Sequence, residues 1–443
     1  MHGLSSQFLV DLFCSSTCKK SKREIGIEIE RIGIWDDGAA IHYAETSRPG
    51  MEQLLTEIGK RNQWEFIRNE KSQPLGFHTP LGKVTLEPGS QLELSTDPHR
   101  DLYSLAESVQ VFEKKVDEVT NPWDLRWIGL GVNPSNAPDD MDVIPSPRYH
   151  IMTEYLGNRG RFATSMMRLT SSVQVNLDYT SEKEAIEMLR TSLAAAPVSY
   201  ALFSNSPIFS RQESGYLSFR SAIWRETDPD RTGLLHEVFE DGFDFNEYAK
   251  LIWNRPLMFA QDEHQHYVAT EGLSLKEIAA GKMPGVYTDE TNQINAIREL
   301  FTEVRLKPGY VELRSIDGLR PKERYAAAAF WMGVLYNPDA RAVVLKTLGQ
   351  LTPEEREQLF LMATRSGMNA RVGNISLKQI ASELLKASSD CLKARDFGEE
   401  NFLVPIEKIL EEGMNPAEKI LKHFNGPWKQ SLSALIEYSS EQG

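Results

Sequence analysis

The chain contains little of what marks several common protein classes. Only three cysteines occur in 443 residues, which is too few for a disulfide framework. No run approaches the roughly 18 consecutive apolar residues that a membrane-spanning helix needs. The apolar stretch at residues 7–13 is followed rather than preceded by basic residues, which is the wrong order for a signal peptide. We therefore expect a cytoplasmic protein with no membrane partner.

Basic residues are also in deficit. The formal net charge of −14 argues against nucleic acid or an anionic membrane surface as the main partner. The histidines are scattered and none has the i, i+4 spacing of a helical metal site. Cys14 and Cys18 resemble half a zinc site, but no second pair follows. Incidental or structural thiols are the other interpretation of these two residues.

Three frequent catalytic or nucleotide-binding motifs are missing. The sequence has no G-x-x-x-x-G-K-[ST], no G-x-G-x-x-G and no G-x-S-x-G. The common phosphate-binding loops and the nucleophile elbow of the α/β-hydrolases are therefore excluded.

Four short segments do carry a distinctive pattern, in which aliphatic side chains alternate with acidic or amide side chains. They lie at residues 25–30, 84–94, 172–177 and 310–314. Side chains two apart on a strand share a face, so each segment should present a pair of polar groups on one side. These pairs are Glu28 with Glu30, Gln91 with Glu93, Gln174 with Asn176, and Glu312 with Arg314.

Carboxylates collected on one face of a sheet repel each other unless a cation lies among them. Hard divalent ions with oxygen ligands meet that need, and Mg²⁺ is the usual ion beside phosphate. The pattern favours a metal-nucleotide enzyme. An ordinary solvated polar face without an ion is the alternative.

The order of the elements favours an α+β fold, because strand patterns come first and helical patterns later. We place a catalytic domain over residues 1–340 and a helical region over 341–443 that packs on it. Helices are predicted over residues 1–20, 50–63, 98–119 and 181–204, and strands over 23–36 and 127–132. A hairpin over 82–95 turns at Glu87-Pro88-Gly89-Ser90, and loops cover 133–148 and 205–245. Helices after residue 320 are predicted to begin at Pro321, Thr352, Ser376, Pro405, Pro416 and Pro427.

Seven segments resemble a known family in their sequence and in their order. They lie at residues 25–30, 86–95, 173–178, 215–224, 227–233, 239–243 and 310–314. Together they are similar to glutamate–cysteine ligases of the plant and proteobacterial type over roughly residues 5–340. The wider superfamily contains glutamine synthetase and other carboxylate–amine ligases. The resemblance implies a glutamine-synthetase-like, curved, mainly antiparallel sheet that forms a funnel, with packed helices outside it and a helical C-terminal part.

The resemblance also implies a reaction. ATP would phosphorylate the γ-carboxylate of L-glutamate, and the amino group of L-cysteine would attack the acyl phosphate, releasing phosphate and ADP. Mg²⁺ or Mn²⁺ would bridge phosphate and protein oxygens. A related ligase with a different amine or acid and a non-catalytic relative are the alternatives. We expect a monomer or homodimer. The candidate metal ligands are Glu28, Glu30, Glu87, Glu93, Gln174 and Glu312.

Arg314 is the candidate catalytic residue, because a guanidinium beside Glu312 could hold the phosphoryl group during transfer. The alternative is that Arg314 only neutralises Glu312. In the loop region, Arg220 and Arg231 could bind the α-carboxylate of glutamate, and Trp224 could form a wall of the amino-acid pocket. The alternatives are ion pairs of these arginines with Asp228, Asp230 or Glu240, and core packing of the indole.

One departure from the family pattern concerns an arginine. Many members have Met-Met-x-Arg-Thr before the third polar segment, whereas this chain has Met166-Met167-Arg168-Leu169-Thr170. On a regular strand a shift by one residue turns the side chain to the opposite face, unless a β-bulge restores it. The glutamate contact credited to that arginine is therefore in question for Arg168.

Overall fold

The alternating segments form one nine-stranded sheet in the computed structural model, which describes residues 5–440. Every strand pairing in this sheet is antiparallel. The strands are β1 (Ile25–Trp35), β2 (Glu65–Arg68), β3 (Pro74–Thr79), β4 (Gly82–Leu86), β5 (Leu92–Thr96), β6 (Leu125–Ile128), β7 (Val173–Asp178), β8 (Val304–Lys307) and β9 (Tyr310–Leu313). Their order is β8-β9-β7-β1-β5-β4-β3-β2, and β6 pairs with the second half of β1. The predicted antiparallel α+β fold is confirmed.

The register of the sheet separates aliphatic from polar side chains. Ile27 and Ile29 of β1 lie opposite Val175 and Val173 of β7, and these four side chains are almost completely buried. The alternate residues of the same strands point to the other side. Burial of the aliphatic face therefore determines which side chains line the polar face.

Eighteen α-helices surround the sheet in the described part of the chain. They are α1 (Gln7–Ser15), α2 (Met51–Asn62), α3 (Leu102–Thr120), α4 (Pro147–Leu156), α5 (Ala163–Leu169), α6 (Glu182–Ala194), α7 (Ala196–Phe203), α8 (Phe219–Arg225), α9 (Phe245–Asn254), α10 (Leu275–Ala279), α11 (Glu290–Arg298), α12 (Pro321–Leu335), α13 (Pro338–Lys346), α14 (Pro353–Ser366), α15 (Leu377–Ala394), α16 (Val404–Glu412), α17 (Pro416–Asn425) and α18 (Leu432–Ser439). Helices α2, α3, α6 and α12 contact strands of the sheet directly.

Helix α12 connects the sheet to the C-terminal helices. All its residues from Arg324 to Leu335 are buried, as expected of a helix enclosed on every side. It contacts β7 on one side and α15 on another. The buried core continues from residue 9 to residue 409, so the C-terminal helices pack onto the earlier elements. The domain division near residue 340 stays a prediction.

Several predicted elements differ in detail from those observed. The helix over 181–204 is two helices, α6 and α7, because Pro197 favours a new helical start. The strand over 127–132 ends at Ile128. Pro427 does not begin a helix, since α18 follows the capping residue Ser431 instead. The first predicted helix is confirmed only over Gln7–Ser15, and residues 1–4 lie outside the described residues.

The predicted hairpin and its turn are confirmed. Glu87 and Ser90 close the connection between β4 and β5, where the Ser90 amide donates to the Glu87 carbonyl at 2.9 Å. Ser90 has a φ of 69°, in the left-handed region that glycine adopts most readily. The region 205–245 is less irregular than predicted, because it contains α8. No helix within residues 5–440 is both long and apolar enough to cross a bilayer.

Candidate active site

The polar face of the sheet brings the predicted carboxylates together. Glu30 of β1 lies directly opposite Glu93 of β5, and Glu28 lies opposite Gln174 of β7. Like charges directly across an antiparallel pair destabilise each other. Thr85 of β4 relieves part of this cost, because its hydroxyl donates to Glu93 at 2.7 Å.

Burial and mutual repulsion favour the protonated forms of Glu30, Glu87 and Glu93. Burial raises the pKa of Glu30 to about 7, with a further contribution from the charge of Glu93. Burial and the charge of Glu30 raise the pKa of Glu87 to about 7. Burial, Glu87 and Glu28 raise the pKa of Glu93 well above its usual range. The turn residue Glu87 therefore belongs to the same electrostatic cluster as the strand residues.

Glu312 has the opposite environment. Its carboxylate is completely buried and contacts three cations: Arg305 at 2.6 Å, Lys307 at 2.7 Å and Arg314 at 3.3 Å. Burial alone would raise the pKa of Glu312, but these three cations hold it well below its usual range. The repulsion expected among carboxylates on this face therefore does not extend to Glu312, because three cations surround it.

One amide, that of Gln174, connects the acidic side chains to this cationic group. Arg314 donates to the Gln174 side-chain oxygen at 2.6 Å, and the Gln174 amide nitrogen donates to Glu30 at 3.2 Å. Asn176 donates to Glu28 at 3.1 Å. Gln174 would have to rotate its amide before its oxygen could bind a metal ion. Its role as a ligand stays a prediction.

Arg220 and Trp224 lie in a narrow crevice beside the polar face. Arg314, Tyr200 and Glu303 also line this crevice. Arg220 is buried, and its guanidinium lies 5.7 Å from the Trp224 ring centroid. Among residues 5–440, neither its Nε nor the buried indole nitrogen of Trp224 has a hydrogen-bond partner. Unpaired buried donors are costly, so both groups are suited to a ligand that accepts hydrogen bonds.

The structure places Arg231 in a different environment. Arg231 is buried and pairs with Asp228 at 2.9 Å and with Glu299 at 3.2 Å. The pairing with Asp228 matches the alternative interpretation, in which this arginine connects loop segments. A substrate contact for Arg231 stays a prediction.

Arg168 lies on a helix, not on a strand. It occupies the last turn of α5 and donates to the Pro138 carbonyl at 2.9 Å. The argument from strand alternation is therefore wrong for this residue, because side chains on a helix repeat every 3.6 residues. The Arg168 guanidinium contacts the 133–148 loop, where it also lies 3.6 Å from Asp139, and not the carboxylates of the polar face.

Several candidate residues were missed from the sequence. Arg305 and Lys307 share the polar face with Glu312, and the alternation of Val304-Arg305-Leu306-Lys307 was a signal for them. Glu303 and Tyr200 had no local signal, because the 2.6 Å hydrogen bond between them joins distant parts of the chain. Burial raises the pKa of Glu303.

The described residues contain no group of three or more acidic, histidine or cysteine side chains already arranged to hold a metal ion. Magnesium commonly takes one or two protein carboxylates and completes its shell with water and substrate phosphates. The oxygens of Glu28, Glu30, Glu87 and Glu93 suit that mode of binding. A cavity of about 580 Å³ lies elsewhere in the molecule, away from these carboxylates.

A family model described as glutamate–cysteine ligase family 2 matches residues 26–438. The chain is 34% identical to the chloroplastic glutamate–cysteine ligase of Arabidopsis thaliana over 436 residues, which are 96% of this chain and 81% of the relative. It is 33% identical to the chloroplastic enzyme of Medicago truncatula, covering 98% of this chain and 85% of the relative.

The fold is similar to that of solved structures. A glutamate–cysteine ligase from Francisella tularensis, in complex with AMP, superposes with a TM-score of 0.58 at 14% identity, over 95% of this chain and 89% of the other. A bifunctional glutathione synthetase from Pasteurella multocida has a TM-score of 0.56 at 14% identity, over 94% of this chain and 52% of the other. These two likenesses support the fold.

The raised pKa values of Glu30 and Glu87 predict that the free energy of unfolding depends on pH. A folded-state pKa of about 7 means that these carboxyl groups bind protons more tightly in the folded than in the unfolded protein. This proton binding stabilises the fold fully below about pH 4.5, and the stabilisation is lost as pH rises through about 7. Glu30→Gln should reduce this loss in metal-free protein by roughly 1–3 kcal/mol between about pH 5 and 8. Urea unfolding across that range measures the free energy of unfolding.

Glu65→Gln is a matched control, because Glu65 is an exposed carboxylate on β2 of the same sheet. It should leave the slope of stability against pH unchanged. Parallel profiles for the parent and Glu30→Gln would contradict the prediction.

Removing the charge of Glu312 should destabilise the metal-free protein. Glu312→Gln leaves three cations with no carboxylate between them, and breaking a buried ion pair typically costs about 3–5 kcal/mol. A lower melting temperature in chelator is therefore expected. Glu93→Gln removes a carboxyl group from the acidic cluster and should raise the melting temperature instead. If the melting temperature of Glu312→Gln equalled or exceeded that of the parent, the charge of Glu312 would not be needed to stabilise the three cations.

Proposed function

The chain belongs to glutamate–cysteine ligase family 2, and on this premise we propose that it joins the γ-carboxylate of L-glutamate to the amino group of L-cysteine at the expense of ATP. The observation that carries the proposal is the polar face, where a carboxylate cluster adjoins a cluster of cations. The names of the chloroplastic relatives, at 33–34% identity over nearly the whole chain, support the same reaction.

The acidic cluster suits divalent cations that accompany ATP. Glu28, Glu30, Glu87 and Glu93 supply oxygen ligands of the kind that Mg²⁺ and Mn²⁺ prefer. The raised pKa values of Glu30, Glu87 and Glu93 indicate that these three carboxylates are unfavourable as bare anions. A bound divalent ion would neutralise the triphosphate and the carboxylates together. Glu312 is retained as a ligand candidate, in competition with its three cations.

Arg314 is positioned to act on the transferring phosphoryl group. It contacts Gln174, which bonds to the acidic cluster, and Glu312, which the other two cations also contact. Arg314 therefore lies where the two charge clusters meet. A planar guanidinium can hold two phosphate oxygens at once. Phosphoryl transfer depends mainly on alignment and charge stabilisation, which is the role we assign to Arg314.

The charged groups of the crevice beside Arg314 match those of an amino acid, and the crevice, of about 10 Å³ in this structure, would have to widen to admit one. Arg220 offers an unpaired buried donor for a carboxylate. Glu303, held by Tyr200 at 2.6 Å, offers an oxygen for an ammonium group. Trp224 forms one wall. Opposite charges at the two sides of one crevice match the zwitterion of an α-amino acid.

An assay of ADP release tests the proposal directly. Purified protein with ATP, Mg²⁺ and L-glutamate should turn over when L-cysteine is added and should also accept 2-aminobutyrate, which lacks the thiol. Excess chelator should abolish turnover, and Mg²⁺ or Mn²⁺ should restore it. Release that ignores cysteine but responds to another amine would assign the chain to a different carboxylate–amine ligase activity. Full turnover in chelator, with metal removal confirmed, would overturn the metal site.

Arg314→Lys should fail nearly as badly as Arg314→Ala. Lysine retains the charge but loses the planar pair of donors, and loss of one preorganised electrostatic donor typically costs roughly 10²–10³ in rate. The loss should appear in kcat more than in KM for ATP. Steady-state kinetics and melting temperatures of both variants measure it.

Arg305→Lys is the matched control, because Arg305 also contacts Glu312 but donates its remaining hydrogen bonds to the carbonyls of Arg298 and Leu300. The Arg305→Lys variant should have a lower melting temperature than the parent but a kcat close to that of the parent. An Arg314→Lys variant within a few-fold of the parent in kcat would leave Arg314 with a neutralising role only.

Cytoplasmic location and the oligomeric state stay predictions.

A further inference from the structure

A sizeable cavity of the described residues lies away from the polar face of the sheet. It has a volume of about 580 Å³, within the range of pockets that bind small molecules. It lies at the start of α12, between α3 and the C-terminal helices α16 to α18. None of its lining residues belongs to the carboxylate cluster, the cationic cluster or the amino-acid crevice.

The cavity is positively charged although the chain as a whole is acidic. Its lining contains Arg320, Lys322, Lys408 and Lys419, with Glu323 as its carboxylate. Arg320 pairs with Glu323 at 2.6 Å, and Lys419 pairs with Glu412 at 2.7 Å. Within residues 5–440, Lys322 and Lys408 make no ion pair of this kind. Two cations are therefore in excess, in a chain of net charge −14.

The same cavity has an apolar and aromatic wall. Tyr325 and Ile409 are buried there, and Phe402 packs against Tyr325 with a centroid separation of 6.1 Å. Tyr438 also lines the cavity, and the Arg320 guanidinium lies 4.6 Å from the centroid of its ring. A flat ring could stack between such side chains.

The start of α12 adds to the attraction for anions. Its first residue is Pro321, and the preceding Arg320 provides no side-chain cap. The first-turn amides of a helix favour negative charge, and this end of α12 faces the cavity through Arg320, Lys322 and Glu323.

We propose that this cavity is a second ligand site, which binds a dianionic phosphate monoester with an aromatic ring. Lys322 and Lys408 neutralise the phosphate, and the aromatic wall holds the ring. Two excess cations match a dianion better than a single carboxylate. The site is separate from the catalytic face and does not depend on the reaction proposed above.

Isothermal titration with 1-naphthyl phosphate tests the site on the full-length protein. Inorganic phosphate and 1-naphthol carry the two parts of the probe separately. The intact probe should bind at one saturable site at least tenfold more tightly than either part. Lys322→Glu with Lys408→Glu should weaken its binding at least tenfold, and Lys322→Ala with Lys408→Ala should weaken it less.

Lys378→Glu with Lys386→Glu is the matched control, because it makes the same change of net charge on exposed residues of α15. It should change the affinity less than twofold. Saturating ATP with Mg²⁺ should also change it less than twofold, since the catalytic face is elsewhere. The proposal is overturned if ATP displaces the probe, if both charge-reversed variants bind it equally, or if the probe binds no more tightly than phosphate or naphthol alone.

Discussion

The repulsion between carboxylates that face each other across β1 and β5 is the constraint on which the candidate active site depends. It arises because the aliphatic face is buried, with Ile27 and Ile29 among its residues. A slip by one residue would expose that face, so hydrophobic burial fixes the register and places Glu30 opposite Glu93. The sheet pays an electrostatic cost at this point, and the raised pKa values of Glu30 and Glu93, due to burial and to the neighbouring carboxylates, are in line with it. Such a cost is typical of functional sites.

The two charge clusters are complementary to different parts of a metal–nucleotide complex. Glu28, Glu30, Glu87 and Glu93 would carry four negative charges if fully ionised, a charge that divalent cations offset. Arg305, Lys307 and Arg314 exceed the single charge of Glu312 by two. A triphosphate with bound divalent ions presents both signs, so it could lie across the face with metal on one side and phosphate oxygens on the other. Gln174 lies at the junction, where it contacts Arg314 and Glu30.

The sequence was informative wherever chemistry follows strand alternation. The pairs on β1, β5 and β7 and the turn at Glu87 were recognisable because each depends only on neighbours in the chain. Contacts between distant segments were not recognisable, and the hydrogen bond of Tyr200 to Glu303 is an example. The cationic environment of Glu312 was missed although residues 304–307 alternate in the sequence, because the pairing of Arg305 with Glu312 across two strands is not a local feature. Arg168 was misjudged because a helix precedes β7 where a strand was assumed.

The environment of Glu312 is compatible with two roles that need not conflict. A phosphoryl group approaching Arg314 would compete with Glu312 for the same cations, because charge-assisted hydrogen bonds to phosphate are strong. Each cation that turned towards phosphate would weaken its hold on the carboxylate, and the Glu312 oxygens would then be free to hold a divalent ion. On the proposed function, the carboxylate would keep the cations ordered before the nucleotide binds. Phosphate binding would then be coupled to the availability of Glu312 as a ligand.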